Sequence, residues 1–194
     1  MSLMLRRRML LSQVETEQGL PTEYQQVEYI LIKNDDPHGR KNGFETKIAF
    51  ANADKLEFKI SSIATLNNMM LITSDKIAEP FLTINRDKPL FSGFTTCELI
   101  PSNVKMPDIA DGNEYEFQVN YTSNSNDTIR FGGWKDPSYS RSISWFYFKI
   151  YSGNELIANF IPCYRKIDNK VGFYDSVSGK FHEGTTAFYK GGDI

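Results

Sequence analysis

From about Phe44 onward, apolar and polar residues alternate with a period of two. In "YEFQVNY", Tyr115, Phe117, Val119 and Tyr121 fall on one face, and Glu116, Gln118 and Asn120 on the other. In "KLEFKI", Leu56, Phe58 and Ile60 oppose Lys55, Glu57 and Lys59. A strand buried on one side reads this way, and no helix does. Shorter runs of the same kind are "ETKIAF", "MMLIT", "PFLTI", "DTIRF", "ISWFYFKIY", "ELIANFI", "KVGFYD" and "TTAFYK". Each is expected to be a strand with one buried face.

Turn residues punctuate these runs. Ser152-Gly153-Asn154-Glu155 separates "WFYFKIY" from "LIANFI", and Ser178-Gly179 separates "VGFYDSV" from "KFH". Glycine and asparagine tolerate the positive φ of tight turns, so both sites predict hairpins, and Asp111-Gly112-Asn113 predicts a further turn. Pro162 offers no amide hydrogen, which predicts that its strand ends or lies at a sheet edge there. No helix longer than a turn or two is expected within 44–194. Many short strands at this spacing predict an all-β fold, a sandwich or jelly roll of two antiparallel sheets packed face to face.

Residues 1–22 lack the alternation. They are polar or rich in Met and Leu, carry Arg6, Arg7 and Arg8, and end near Pro21. The expected organisation is an N-terminal arm, 1–22, followed by one sandwich domain, 23–194. The polar stretch "KNDDPHGRKNG" (33–43) predicts a loop after a first strand "VEYILI".

Composition narrows the choice of function. The 194 residues are 40% hydrophobic, with 14 Phe and 10 Tyr, enough for a real core. A net charge of −2 lacks the basic excess of a general nucleic-acid binder. Two cysteines, Cys97 and Cys163, are too few for a disulfide scaffold and fit assembly in a reducing cytoplasm as small buried residues. Only Met9, Leu10 and Leu11 follow the arginine triplet before Ser12, short of the roughly 7–15 apolar residues of an export signal. No stretch approaches the roughly 18 apolar residues of a membrane span. Asn120-Tyr121-Thr122 and Asn126-Asp127-Thr128 match the glycosylation pattern but read as ordinary strand and loop residues.

Two longer phrases carry a resemblance. "LPTEYQQVEYI" (20–30) and "WFYFKIYSGNELIANFIPCYRKIDNKVGFYDSVSGKFHEGTTAFYKG" (145–191) closely resemble a module of virion proteins from phages and prophages of gut bacteria. That module opens on a leucine-proline, tyrosine, glutamate-tyrosine-isoleucine phrase. It closes on a lysine-isoleucine-tyrosine strand, a phenylalanine-isoleucine-proline-cysteine phrase and a glycine-x-tyrosine-aspartate hairpin. It is similar to the concanavalin A-like, laminin-G-like jelly roll, and the matched stretches cover about a third of this chain. The start "MLRRRMLL" is similar to basic-hydrophobic openings on virion proteins of crAss-like and related gut phages. A departure falls at "LIKNDDPHGRKNGFETKIAF", where the family carries a serine/glycine-threonine stretch and a tyrosine-isoleucine-aspartate-threonine-glycine strand. The early loop and the surface it builds therefore do not carry over.

The resemblance implies a non-enzymatic virion protein, assembled in the host cytoplasm, working as a homo-oligomer, dimer or trimer. A head fibre or decoration protein is the first expectation, with capsid or other virion proteins as partners. A lectin-like carbohydrate-binding module or a tail-associated adhesin is the alternative. In the docking reading, Arg6, Arg7, Arg8, Met9 and Leu10 anchor the arm in an acidic, apolar-lined groove. In the plainer reading they are a flexible tail.

Catalytic chemistry finds little footing. Glycosidases need two carboxylates roughly 5–10 Å apart, and the nearest candidates, Glu114 and Glu116, share a polar strand face that Gln118 continues. A solvated face explains them. His38 and His182 have no Cys or His partner at ligand spacing, and no cofactor or metal is expected. Gly132-Gly133 lacks the Lys-Ser/Thr and helix of a phosphate loop. Asn34, Asp35 and Asp36, or Asp108 and Asp111, could offer oxygens to calcium, but Asp and Asn are equally at home as turn formers. For adhesion to host or mucosal glycans, the loop "GGWKDPSYSRS" (132–142) gathers Trp134, Asp136, Tyr139 and Arg141. Exposed aromatics imply a partner; a Trp134 folded back over the core is the competing reading.

Overall fold

In the computed structural model, which describes residues 19–33, 43–62, 68–75, 79–109, 111–132, 142–185 and 188–194, the alternating runs become strands. Leu56, Phe58 and Ile60 are buried while their polar neighbours stay half-exposed. Phe117, Val119 and Tyr121 are buried likewise, and Tyr115 is partly covered.

Among the described residues fifteen strands follow one another: β1 (Tyr24–Gln26), β2 (Ile30–Ile32), β3 (Phe44–Ala49), β4 (Lys55–Ser61), β5 (Asn68–Ser74), β6 (Phe81–Asn85), β7 (Pro89–Ser92), β8 (Thr96–Ile100), β9 (Glu114–Thr122), β10 (Thr128–Phe131), β11 (Ile143–Ser152), β12 (Glu155–Arg165), β13 (Lys170–Asp175), β14 (Lys180–Glu183) and β15 (Phe188–Lys190). Helix among the described residues is limited to a 3-10 turn at Phe50–Asn52 and a single turn, α1, at Met106–Ile109.

The strands form two antiparallel sheets, one of ten strands and one of five. The large sheet runs β14-β13-β12-β11-β4-β9-β8, and the small sheet runs β3-β10-β5-β6-β7. Their inner faces meet in an aromatic core. Phe131 of the small sheet stacks on Phe148 of the large one at 4.3 Å, and Phe44 packs edge-on against Phe160 and Phe173 at 5.1 and 4.8 Å. Such pairs add about 0.5–1.5 kcal/mol each beyond the area they bury. The protein is therefore all-β and sandwich-like, as the alternation predicts.

Within the large sheet, β11 and β12 pair only over their hairpin halves, from Phe148↔Phe160 to Ser152↔Glu155. Beyond that they diverge, and the two ends of the described chain fill the gap. β2 joins β11 at Trp145↔Ile30, β1 joins β12 at Gln26↔Cys163, and β15 lies along β2 at Phe188↔Ile32. A bridge between Val27 and Asp193 extends the pairing of the ends. The stretches 20–30 and 145–191, far apart in sequence, are thus neighbours in one sheet.

Both predicted hairpins form, with φ of 58° at Gly153 and 69° at Gly179, where any side chain would be strained. Two expectations need correcting. β12 neither ends nor lies at an edge at Pro162: it continues to Arg165 with β13 on one side and β1 on the other. The Pro162 carbonyl accepts from the Val27 amide at 3.1 Å, so its nitrogen also faces the widening gap, and the β13 ladder loses no donor. "MMLIT", "PFLTI", "ELIANFI" and "KVGFYD" are strands, but they do not bury one face only. Met69, Met70, Leu71 and Ile72 are all buried, as are Leu82, Thr83 and Ile84, Ala158, Asn159 and Phe160, and Phe173, Tyr174 and Asp175. In β5 a register shift between Met70 and Ile72 accompanies this break in the alternation.

Candidate functional site

The outward face of the large sheet carries the most varied chemistry among the described residues. Along β4 it shows Lys55, Glu57, Lys59 and Ser61; β9 adds Glu114, Glu116, Gln118 and Asn120 in register. β11 contributes Ser144, Tyr147, Lys149 and Tyr151. The register shifts between Trp145 and Tyr147, so Phe146 is an extra residue that leaves the core side with Tyr147. A bulge re-aims side chains in this way: Trp145 and Phe148 stay fully buried, while Phe146 and Tyr147 are half-exposed.

Phe146 sits in a cleft of about 560 Å³, whose walls include Tyr29, Ser61, Ser144, Glu28, Glu114 and Lys33. The Tyr29 and Phe146 rings lie 5.4 Å apart at 56°. Gly191 packs flat on Tyr29: a side chain there would begin 2.8 Å from Cε1 of the ring. The Lys59 ammonium stands 5.1 Å over Phe146 and also pairs with the Glu114 carboxylate. Lys33 lies 4.3 Å over the Tyr189 ring. Ser61 donates to the Gly112 carbonyl at 2.9 Å, and Ser62, also in the wall, donates to the Ser142 carbonyl at 3.3 Å. Cleft cations are thus matched by carboxylates and rings, leaving an aromatic floor rimmed by hydroxyls and two acids.

Two other hollows differ. A groove of about 510 Å³ runs past Cys97, Tyr121 and Asp54. The Asp54 carboxylate accepts from the Gly153 amide at 3.0 and 2.9 Å, holding the β11–β12 hairpin. A smaller cavity of about 370 Å³ lies beside Glu45, Arg130 and His182. Burial holds His182 below the usual imidazole range by disfavouring its charged form.

Several predicted residues can now be located. Glu114 lines the cleft and pairs with Lys59; Glu116 shares its face but stands outside the cleft, beside Tyr147. Asp111 accepts from the Asn113 amide at 2.9 Å and from the Tyr115 hydroxyl at 2.8 Å, the work of a turn former. These bonds hold its carboxyl below the usual range. Burial pushes the Cys97 and Cys163 thiols up to about 12, so both are inert. Among the described residues no group of three or more His, Cys, Asp or Glu side chains could hold a metal ion, and no helix is long and apolar enough to cross a membrane. Arg6, Arg7, Arg8, Met9 and Leu10 of the arm lie outside the described residues. So do Trp134, Asp136, Tyr139 and Arg141, together with His38, Asn34, Asp35 and Asp36.

Sequence reasoning passed over Tyr29, Phe146 and Lys59. A signal was present in "WFYF": four consecutive aromatics cannot all face the core of a regular strand, so at least two must point outward. No protein family, curated protein or solved structure matches the chain.

Proposed function

We propose that the protein is a non-enzymatic component of a bacteriophage virion. Its β-sandwich acts as an adhesion head, and residues 1–22 anchor it to the capsid or another virion protein, in the manner of a head fibre or decoration protein. The observation that carries this reading is the adjacency of the two phage-like stretches. β1 and β2, from 20–30 and its continuation, pair with β12 and β11 of 145–191, so the resemblance describes one continuous piece of sheet. A module shared among virion proteins would be built as such a unit. The outward face beside it is rich in half-exposed aromatics and paired charges, a surface suited to contact. A homo-oligomeric head would let several weak sites act together.

The anchoring role is tested by deleting residues 1–20 and counting the protein in purified particles. Loss of incorporation, with the truncated chain still folded by circular dichroism, is expected. Undiminished incorporation would remove the arm from the assembly. A free lectin-like module is the second reading, favoured by the cleft at Phe146; it predicts that the truncated chain is a complete, independent sugar binder with no place in the particle. Trp134→Ala on a glycan array separates loop from cleft, since loss of binding there would assign adhesion to 132–142.

A further inference from the structure

We infer that the cleft between β2, β4, β9 and β11 is a binding site for neutral pyranose sugars, a mono- or disaccharide at the end of a glycan chain. The inference rests on the adhesion reading above and assigns it to particular atoms. Three features of the cleft converge on this ligand class.

The first is the outward aromatic. Phe146 is the extra residue of a bulge, held against Tyr29 at 5.4 Å and left half-exposed. An aromatic ring that a strand has been bent to show is a stacking platform for the C–H face of a pyranose, whose burial removes apolar area from water. The second is the rim. The Ser61, Ser62 and Ser144 hydroxyls and the Glu28 and Glu114 carboxylates surround that platform. Carboxylates accept from sugar hydroxyls; Ser61 and Ser62, whose protons go to the Gly112 and Ser142 carbonyls, can accept as well, and Ser144 adds a further hydroxyl.

The third feature is charge, and it selects neutral sugars over acidic ones. Lys59 is engaged by Glu114 and by the Phe146 ring, and Lys33 by the Tyr189 ring. A sialyl or sulfated sugar would have to draw a lysine away from these contacts while approaching Glu28 and Glu114. A neutral pyranose can displace Lys59 at most from the Phe146 ring, leaves it paired with Glu114, and brings no charge toward the two carboxylates. The volume of about 560 Å³ lies within the ordinary range for small-molecule sites, roughly 300–1,000 Å³.

The test uses the full chain, titrated by saturation-transfer NMR with lactose, methyl α-mannoside and methyl α-fucoside, and with 3′-sialyllactose as the anionic comparison. At least one neutral sugar should bind, and Phe146→Ala should weaken it about tenfold or more. Ser144→Arg, which blocks the cleft from a half-exposed position without opening the core, should do the same. Tyr151→Ala, on the same face but at the far end of β11, should leave binding unchanged. Binding that survives both Phe146→Ala and Ser144→Arg, or tighter binding of 3′-sialyllactose than of lactose, overturns the assignment, as does the absence of binding to any of the four sugars. The adhesion reading is scored separately, by retention of whole particles on mucin-coated plates with and without the protein. Retention that depends on the protein, together with a silent cleft, sinks the cleft alone.

Discussion

The outward sides of the two sheets are built on opposite principles. On the large sheet, β4 alternates strictly, and its outer residues Lys55, Glu57 and Lys59 sit among Glu116, Lys149 and Tyr147 of the neighbouring strands. Lys55 reaches Glu57 at 3.1 Å and lies 3.8 Å over the Tyr151 ring, whose hydroxyl donates to Glu57 at 2.8 Å. The face is wet and held together by pairs that cost little to rearrange. In the middle of the small sheet, where β5 and β6 pair, the residues that point away from the core are hidden as completely as those that point into it. Met70 and Thr83, which pair across β5 and β6, are each 2% exposed, and the Thr83 hydroxyl donates to the Met69 carbonyl at 2.9 Å. One sheet therefore keeps a polar, half-exposed outer side along β4, β9 and β11, and the middle of the other is sealed on both sides.

Substitution should expose that asymmetry. The largest effect is expected from Met70→Asp, which places a lone charge on the sealed side: a loss of several kcal/mol, enough to unfold a marginal domain, read as a collapse of the urea midpoint. A midpoint within about 0.5 kcal/mol of the unsubstituted protein would show that the outer side of β5 is open after all. Phe131→Ala, at the junction of the sheets, should cost about 3–5 kcal/mol by the same measurement. Lys59→Met on the wet face removes one exposed ion pair and one ring contact, and should cost no more than about 1 kcal/mol.

A change of pH probes single buried or half-buried groups of the large sheet. Because burial raises both thiols, their stabilising effect is whole below the unfolded thiol's pKa of about 8.5 and is lost as pH climbs from there through about 12. His182 has the opposite sign. Its folded pKa is depressed, so stability is full above about 6.5 and falls below it as the unfolded imidazole takes a proton first. Denaturation midpoints of Cys163→Ala and His182→Phe across pH 5–10 should each flatten the corresponding limb.

Much of the fold was legible because alternation is a local consequence of burying one face. "KLEFKI" and "YEFQVNY" became β4 and β9 with the expected residues inside, and Gly153 and Gly179 marked the hairpins where positive φ was needed. "MMLIT" misled because its back is covered as well, a fact of tertiary environment that no short window contains. Pro162 misled because the direction of a missing donor depends on which neighbour stands on which side. The cleft was nearly illegible. Ser61, Glu114 and Phe146 come from three separate strands and Tyr29 from the link between β1 and β2, and each alone reads as an ordinary outward residue.

By itself the sequence determined that the chain is a set of short antiparallel strands, because side-chain periodicity and turn chemistry act over a few residues. Only the tertiary structure decided that β11 and β12 part company, that both ends of the described chain fill the opening, and that a bulge turns Phe146 outward beside Tyr29. Those outcomes depend on pairings across well over a hundred residues, from Ile30↔Trp145 to Ile32↔Phe188. Such pairings are selected by how the whole aromatic core closes, and local pattern carries no record of them.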